Sequence, residues 1–418
     1  MTKISNELVS SAPVVLVDAY STGAMLARAF GRQRPCLHVR SRQSMPDAFS
    51  ASLPTDLFIA DLTLRDDDID ALLAALAPYR PGAVVAASEF GVELADLLAA
   101  RLGLPGNASN LSRARRDKYL MANVAAQAGI AVAGQTQGSE LATLLQWYRL
   151  QPIRRVVVKP IDSAGSDNVF ICNDESQITD AVRKILGTTN LMMRDNRAVL
   201  LQHYLEGDEY VVNTVSHASR HWVTDIWKSS KILAGEGRKI YDYEDLLAPD
   251  AEEVAALVTY VGAVLDAVGV VFGPAHTELI LTSEGPRLLE TGARVSGLAN
   301  PAALTLSTGA DQIELTTACH TDATRLARHP LLYKRSKHAR CVNLIARREG
   351  HLSHSALQQC FDQLASFESV RFRSADRAQV RPTVDLNTSP GALFLVHDDP
   401  EYIDRDYQTI RQWEGRHL

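Results

Sequence analysis

His276-Thr-Glu-Leu-Ile-Leu-Thr-Ser-Glu-Gly-Pro-Arg-Leu-Leu-Glu-Thr-Gly-Ala-Arg-Val-Ser-Gly-Leu-Ala-Asn-Pro301 is the stretch around which the chain is organised. It reads as two short strands joined by a tight Ser283-Glu284-Gly285-Pro286 turn. Pairing the arms brings Glu278 and Glu290 near one another, with Arg287 on the second arm and Arg294 near its end. Two carboxylates facing across a ladder repel unless something positive sits between them. Such hard oxygen ligands suit Mg²⁺, which is held by one or two carboxylates and completed by phosphates and water. The plain alternative is an exposed hairpin with solvated glutamates. The upstream sequence weighs against it.

Arg155-Val-Val-Val-Lys-Pro160 predicts a buried strand ending in Lys159, followed by a small-residue turn through Asn168 and a second strand, Val169–Cys172. A turn of this kind leaves backbone N–H groups free to wrap an anion, and lysine supplies a point charge for phosphate. The loop joins strand to strand, so it is not a Walker A motif. A helix from Asp117 to Ala128 carries Lys118 in its first turn, where the helix dipole disfavours a cation. Helices are predicted at Ser139–Leu150 and Glu175–Leu186. Strands follow at Val199–Leu205, Tyr210–Val215 and His221–Lys228, the last leading to the cations Lys228 and Lys231. Gly235–Glu244, with Arg238 and Lys239, reads as a mobile loop. Asp250 and Glu253 predict a capping box for the helix ending at Val268.

Ahead of these, Val14–Asp18, Leu57–Asp61 and Ala83–Ala87 are apolar runs, each followed by a helical pattern. Short apolar strands alternating with helices imply a parallel sheet covered on both faces, a Rossmann-like arrangement. Gly-x-Gly-x-x-Gly is missing after the first strand, which argues against dinucleotide binding. Gly103–Asn110 is rich in loop formers and marks a boundary. Beyond the hairpin, a helix near Asp311–Thr321, three strands and a helix from Pro400 close the chain.

At 418 residues, two or three domains are expected. The net charge of −6 gives no reason to invoke nucleic acid or an anionic membrane. No apolar run is long enough to span a bilayer, and the N-terminus lacks a signal-peptide pattern. Five scattered cysteines without Cys-x-x-Cys spacing imply reduced thiols, a cytoplasmic location and no zinc site. The adjacent Cys319-His320 reads as packing.

Taken together, these residues resemble the ATP-grasp superfamily from about Ser112 to Pro301. The elements that carry the resemblance are Lys118, Val-Lys-Pro at Lys159, the loop Ser163-Ala164-Gly165-Ser166, Gln202-His203-Tyr204-Leu205-Glu-Gly-Asp-Glu209, and a hairpin ending Glu290-x-x-x-Arg294. The implied fold class is α/β (α+β): an ATP-grasp fold preceded by a Rossmann-like domain. Its expected parts are residues 1–111, a small lobe with preceding helices over 112–205, and a large C-terminal domain over 206–418.

Many relatives have Glu-x-Asn-x-Arg, whose asparagine is a further metal ligand; here that place is Gly292. This departure, with His276-Thr-Glu278 and Glu290-Thr-Gly-Ala-Arg294-Val-Ser-Gly297, looks like the L-amino acid ligase branch of bacilysin synthetase and dapdiamide-type amide ligases. The resemblance implies ATP and Mg²⁺ (with Mn²⁺ able to replace it), and ligation of a carboxylate to the amine of an L-amino acid through an acyl phosphate. It implies that Lys118, Lys159 and the Ser163–Ser166 amides hold phosphates, that the Gln202–Leu205 backbone reads adenine, and that Glu209 takes the ribose. Glu278 and Glu290 hold metal, Arg294 binds the acyl phosphate, Lys228 reaches the γ-phosphate (with Arg238 or Lys239), and His276 contacts the amine or the metal shell. Leu298 lies where branch members shape a substrate pocket. A homodimer is expected. The competing readings are a carboxylase or purine-pathway ATP-grasp enzyme, a non-catalytic nucleotide-binding regulator, and a plain α/β binding protein.

Overall fold

The computed structural model describes residues 12–233 and 239–418. The N-terminal part is a parallel sheet in the spatial order Phe58–Thr63, Cys36–Arg40, Val14–Val17, Ala83–Ala86. Alternate residues of its strands feed two cores, as the two-residue period requires. Val14, Leu16 and Val85 pack on Leu26, Ala27 and Phe30 of helix Thr22–Gly31. Val15, Val17 and Val84 pack on Leu72, Leu94 and Leu98 from the other side. The strand Cys36–Arg40 was not anticipated, because His38 and Arg40 interrupt its apolar run. His38 is fully buried, with Nδ1 2.9 Å from Asp61 Oδ1 and Nε2 accepting from the Ala19 N–H.

A second, antiparallel sheet runs Gln135–Gly138, Val199–His203, Val156–Pro160, Phe170–Cys172. Helices Leu141–Leu150 and Glu175–Ile185 back it, with Leu144, Tyr148, Ile178 and Val182 filling its core. The third sheet has eight antiparallel strands in the order Gly285–Gly292, Phe272–Thr282, Asp208–His217, Arg220–Leu233, Lys239–Leu246, His338–Asn343, Gly391–His397, Phe367–Phe372. Helix Pro301–Thr308 packs Ala303 and Leu304 against Trp227, Cys341 and Phe394. The opposite face, carrying Val342, Leu393 and Leu395, takes Ile403 and Ile410 of helix Pro400–His417.

Several local expectations are corrected. The hairpin turn is shorter than Ser283–Pro286: the second strand starts at Gly285 (φ +101°), and Pro286 pairs with Leu281. The capping box at Asp250 and Glu253 does not form. The helix starts at Val254, and Glu253 accepts from the Tyr210 hydroxyl at 3.0 Å. Lys239 opens a strand, not a loop; Arg238 lies outside the described residues. Helix Pro301–Thr308 was not anticipated, although Asn300 caps it by accepting from the Ala303 N–H.

Arg115, with no exposed surface, ties the N-terminal part to the large sheet's helix layer. Its Nη2 donates to Asp96 Oδ2 at 2.6 Å, and Nη1 donates to the Val268 carbonyl at 2.7 Å. Removing one partner of a buried pair leaves an uncompensated charge. Asp96→Ala is therefore expected to lower unfolding free energy by about 3–5 kcal/mol in denaturant titration. A loss below about 1 kcal/mol contradicts this.

Candidate active site

Between the antiparallel four-stranded sheet and the eight-stranded sheet lies a cleft of about 1150 Å³, reached by Lys118, Lys159, residues 163–168, Gln202–Leu205, Glu209, Lys228, Lys231, Glu278 and Glu290. In the hairpin Glu278 pairs directly with Glu290, so both carboxylates point to the same face. Lys118 offsets their repulsion, with Nζ 2.5 Å from Glu290 Oε2, and His276 Nε2 lies 3.2 Å from Glu278 Oε1. Burial would raise the Glu278 carboxyl, but His276, followed by Lys231 and Arg294, holds it below the usual carboxylate range.

Lys118 also donates to the Ser163 carbonyl at 2.6 Å, anchoring the small-residue loop. Asp117 caps the helix by accepting from the Tyr119 and Leu120 N–H groups, which fixes Lys118 as the first helical residue. Gly165 and Ser166 both have positive φ, +66° and +61°. Among the described residues, the N–H groups of Ser163, Ala164, Gly165 and Ser166 donate to no protein acceptor. Lys159 Nζ sits 3.1 Å from Gln202 Oε1. Burial, then the charge of Lys118, pushes Lys159 down to about 8, while Glu290 and Glu278 pull it up. Two lysines and unpaired amides face two carboxylates, a polarity that a metal–polyphosphate pair completes.

The remaining expected residues are placed as follows. Tyr204 donates its N–H to the Arg155 carbonyl, which leaves the Leu205 N–H without an acceptor among the described residues. His203 lines the cleft, but its ring lies against Trp147 and bonds Gln151. Both oxygens of Glu209 are engaged, by Tyr241 at 2.5 Å and by Lys231 at 2.6 Å. Lys228 lies 2.7 Å from Asp208. His276 is held through Nδ1 by Asn213 Oδ1 at 2.8 Å; the Asn213 amide in turn donates to Asp225, which is buried with three donors around it. Arg294 lies beyond the strand's end, not on it, with Nε 2.6 Å from Glu89 Oε2.

Sequence reasoning missed Glu89 and Arg116. Burial opposes ionisation of Glu89, but Arg116 and Arg294 outweigh it and bring it down to about 2. The signal available was position: Glu89 follows the carboxyl end of a parallel strand, where open α/β sheets bind ligands. Also missed were Val384, Asp385 and Leu386, which reach the cleft from the far end of the chain. Glu244, opposite Ser229, is a third omission; burial and then Glu209 and Glu278 raise it to about 7.

A divalent metal fits this donor set. Among the described residues no three His, Cys, Asp or Glu side chains converge, so the chain offers the Glu278–Glu290 pair and leaves the other positions to phosphate and water.

Residues 153–301, which carry the cleft-lining parts of both sheets, match the ATP-grasp domain family. Over 408 residues, 96% of each chain, the sequence is 33% identical to dapdiamide A synthase of Enterobacter agglomerans. The chain belongs to the ATP-grasp ligase family. Its fold is that of the L-amino acid ligase of Bacillus licheniformis (TM-score 0.75, 17% identity, 96% and 97% of the chains covered). It is also similar to N5-carboxyaminoimidazole synthase of Aspergillus clavatus (TM-score 0.70, 13% identity, 97% and 100% covered). No helix of the described residues is long and apolar enough to cross a membrane.

Because phosphate favours charged Lys159, whose pKa in the free protein is about 8, nucleotide binding at and above that pH is expected to take up protons. Calorimetry with a non-hydrolysable ATP analogue should show heats that vary with buffer ionisation enthalpy. The dependence should vanish in Lys159→Met and well below pH 8, where Lys159 is already charged. Heats independent of buffer in the native protein contradict the assignment.

Proposed function

We propose that the protein joins a carboxylate, from an amino acid or related acid, to the amine of an L-amino acid, giving a dipeptide or amide, ADP and phosphate in small-peptide natural product biosynthesis. The single observation that carries the site assignment is the direct Glu278–Glu290 pair facing Lys118 and Lys159. Likeness to dapdiamide A synthase supports amide formation as the reaction. The residue ranges 1–111, 112–205 and 206–418 are proposed as its working parts.

In this reading Lys118, Lys159 and the free amides of residues 163–166 take the phosphates. The unpaired Leu205 N–H reads the adenine edge, and Glu209, already oriented by Tyr241 and Lys231, accepts from the ribose. Mg²⁺, held by Glu278 and Glu290, supplies charge neutralisation on the phosphoryl oxygens when bound. A carboxylate oxygen attacks the γ-phosphorus; the bond from phosphorus to the ADP oxygen breaks, and an acyl phosphate forms. The amine nitrogen then attacks the acyl carbon, the C–O bond to phosphate breaks, and the surplus amine proton leaves to solvent or phosphate. Arg294 stabilises the oxyanion of the tetrahedral adduct by charge-assisted N–H bonds. Lys228 and Lys239, at the cleft's rim, add positive charge beside the phosphates. The small-residue loop and residues 384–386 exclude water that would hydrolyse the acyl phosphate.

Incubation with ATP, Mg²⁺ and pairs of L-amino acids should release phosphate only when an acceptable pair is present, with a product mass equal to the pair less water. Glu290→Gln is expected to lower kcat by about 100-fold or more. Turnover that requires bicarbonate, or tight ATP binding with no turnover under any pair, contradicts the proposal.

A further inference from the structure

Where the N-terminal sheet meets the end of the hairpin, Glu89 is gripped by two guanidinium groups. Arg116 Nη1 donates to Oε1, and Arg294 Nε donates to Oε2 at 2.6 Å. Arg116 is 6% exposed, and Glu89 is its one side-chain partner among the described residues. Among the described residues, Arg294 otherwise gives only Nη1, to the Val295 carbonyl. Neither Nη2 has a partner among the described residues, and neither is sealed from solvent. Two guanidiniums this close repel, and one shared carboxylate offsets that while fixing both forks. Two cations and one anion leave the cluster with a net charge of +1.

The neighbouring glycine makes room for this arrangement. A Cβ at Gly292 would stand 2.8 Å from Glu89 Oε2 and 3.5 Å from Arg294 Cζ, so any side chain there displaces the carboxylate. Gly292 is two residues past Glu290 on the same strand and pairs with His276. The cluster therefore adjoins the Glu278–Glu290 pair at the end of the hairpin strand.

We propose that Arg116 and Arg294, held as a pair by Glu89 in the space opened by Gly292, form a two-guanidinium clamp for the carboxylate of the acyl-donating substrate. Glu89 is a positioning residue, and Arg116 touches substrate. This rests on the ligase reading and deepens it. The clamp presents planar forks to a planar carboxylate and keeps charge-assisted donors on the group as it becomes an acyl phosphate.

Hydroxamate formation from ATP, Mg²⁺, hydroxylamine and the common L-amino acids reads the first half-reaction without the second substrate. Arg116→Ala should raise the amino acid KM by about tenfold or more and leave the ATP KM within about twofold. Arg116→Lys should recover little, since lysine lacks the fork. Glu89→Ala should lower kcat and raise the amino acid KM together. Gly292→Asp alone should be inactive, whereas Glu89→Ala with Gly292→Asp, which returns a carboxylate to the same space, should regain amino acid affinity over Glu89→Ala. An unchanged amino acid KM in Arg116→Ala, or no regain in the double variant, overturns the clamp. Should the native protein form no hydroxamate, the ligase reading fails, and the clamp is read from the rise in melting temperature that the same amino acids give with AMP-PNP present. Loss of that rise in Arg116→Ala then upholds the clamp; an equal rise, or none in the native protein, overturns it.

Discussion

Two carboxylates placed directly opposite each other on a half-buried hairpin are the constraint on which the rest of the site depends. Glu278 and Glu290 cannot both stay ionised there without nearby positive charge. In the free protein Lys118 brings that charge to Glu290 from a helix outside the sheet, while His276 contacts Glu278 from the same strand. The first turn of helix Lys118–Gln127 must therefore reach the large sheet, and the capping by Asp117 sets where that turn begins. The same lysine holds the small-residue loop through the Ser163 carbonyl, so that loop and the carboxylate pair are registered by one side chain.

Behind this pair stands a second layer that shapes its geometry. Asp225, fully buried, accepts from Asn213, Thr224 and Trp227, and its pull on the Asn213 amide turns the Asn213 oxygen toward His276. His276 in turn faces Glu278. Buried polar groups are costly unless satisfied, so such a chain fixes ring orientation as well as position. At the other end, the bare Gly292 leaves room for the carboxylate of Glu89, which follows the last strand of the N-terminal sheet. Charged groups thus join the N-terminal part to the end of the hairpin.

The sequence disclosed those parts whose signal is local. The hairpin shows in the alternation around Glu278 and Glu290, Lys159 in a strand ending, and Lys118 in its misfit with the helix dipole. The N-terminal parallel sheet followed from apolar runs, with Cys36–Arg40 hidden because His38 is satisfied inside by Asp61, a partner no pattern predicts. Glu89 escaped for a related reason: its meaning comes from Arg294, 205 residues away. The Asp250–Glu253 capping motif misled because Tyr210, in contact through the tertiary fold, took the Glu253 carboxylate instead. Local rules read local bonds; contacts made by closure of the fold lie outside their reach.

The central claim is that a carboxyl group is energised by taking the terminal phosphoryl group of a nucleotide gripped at this hairpin. Oxygen-18 placed in the carboxylate of the acyl-donating substrate tests it most directly. Mass spectrometry of the products should find one labelled oxygen in the inorganic phosphate released during turnover. Unlabelled phosphate, or label appearing in AMP, contradicts the account.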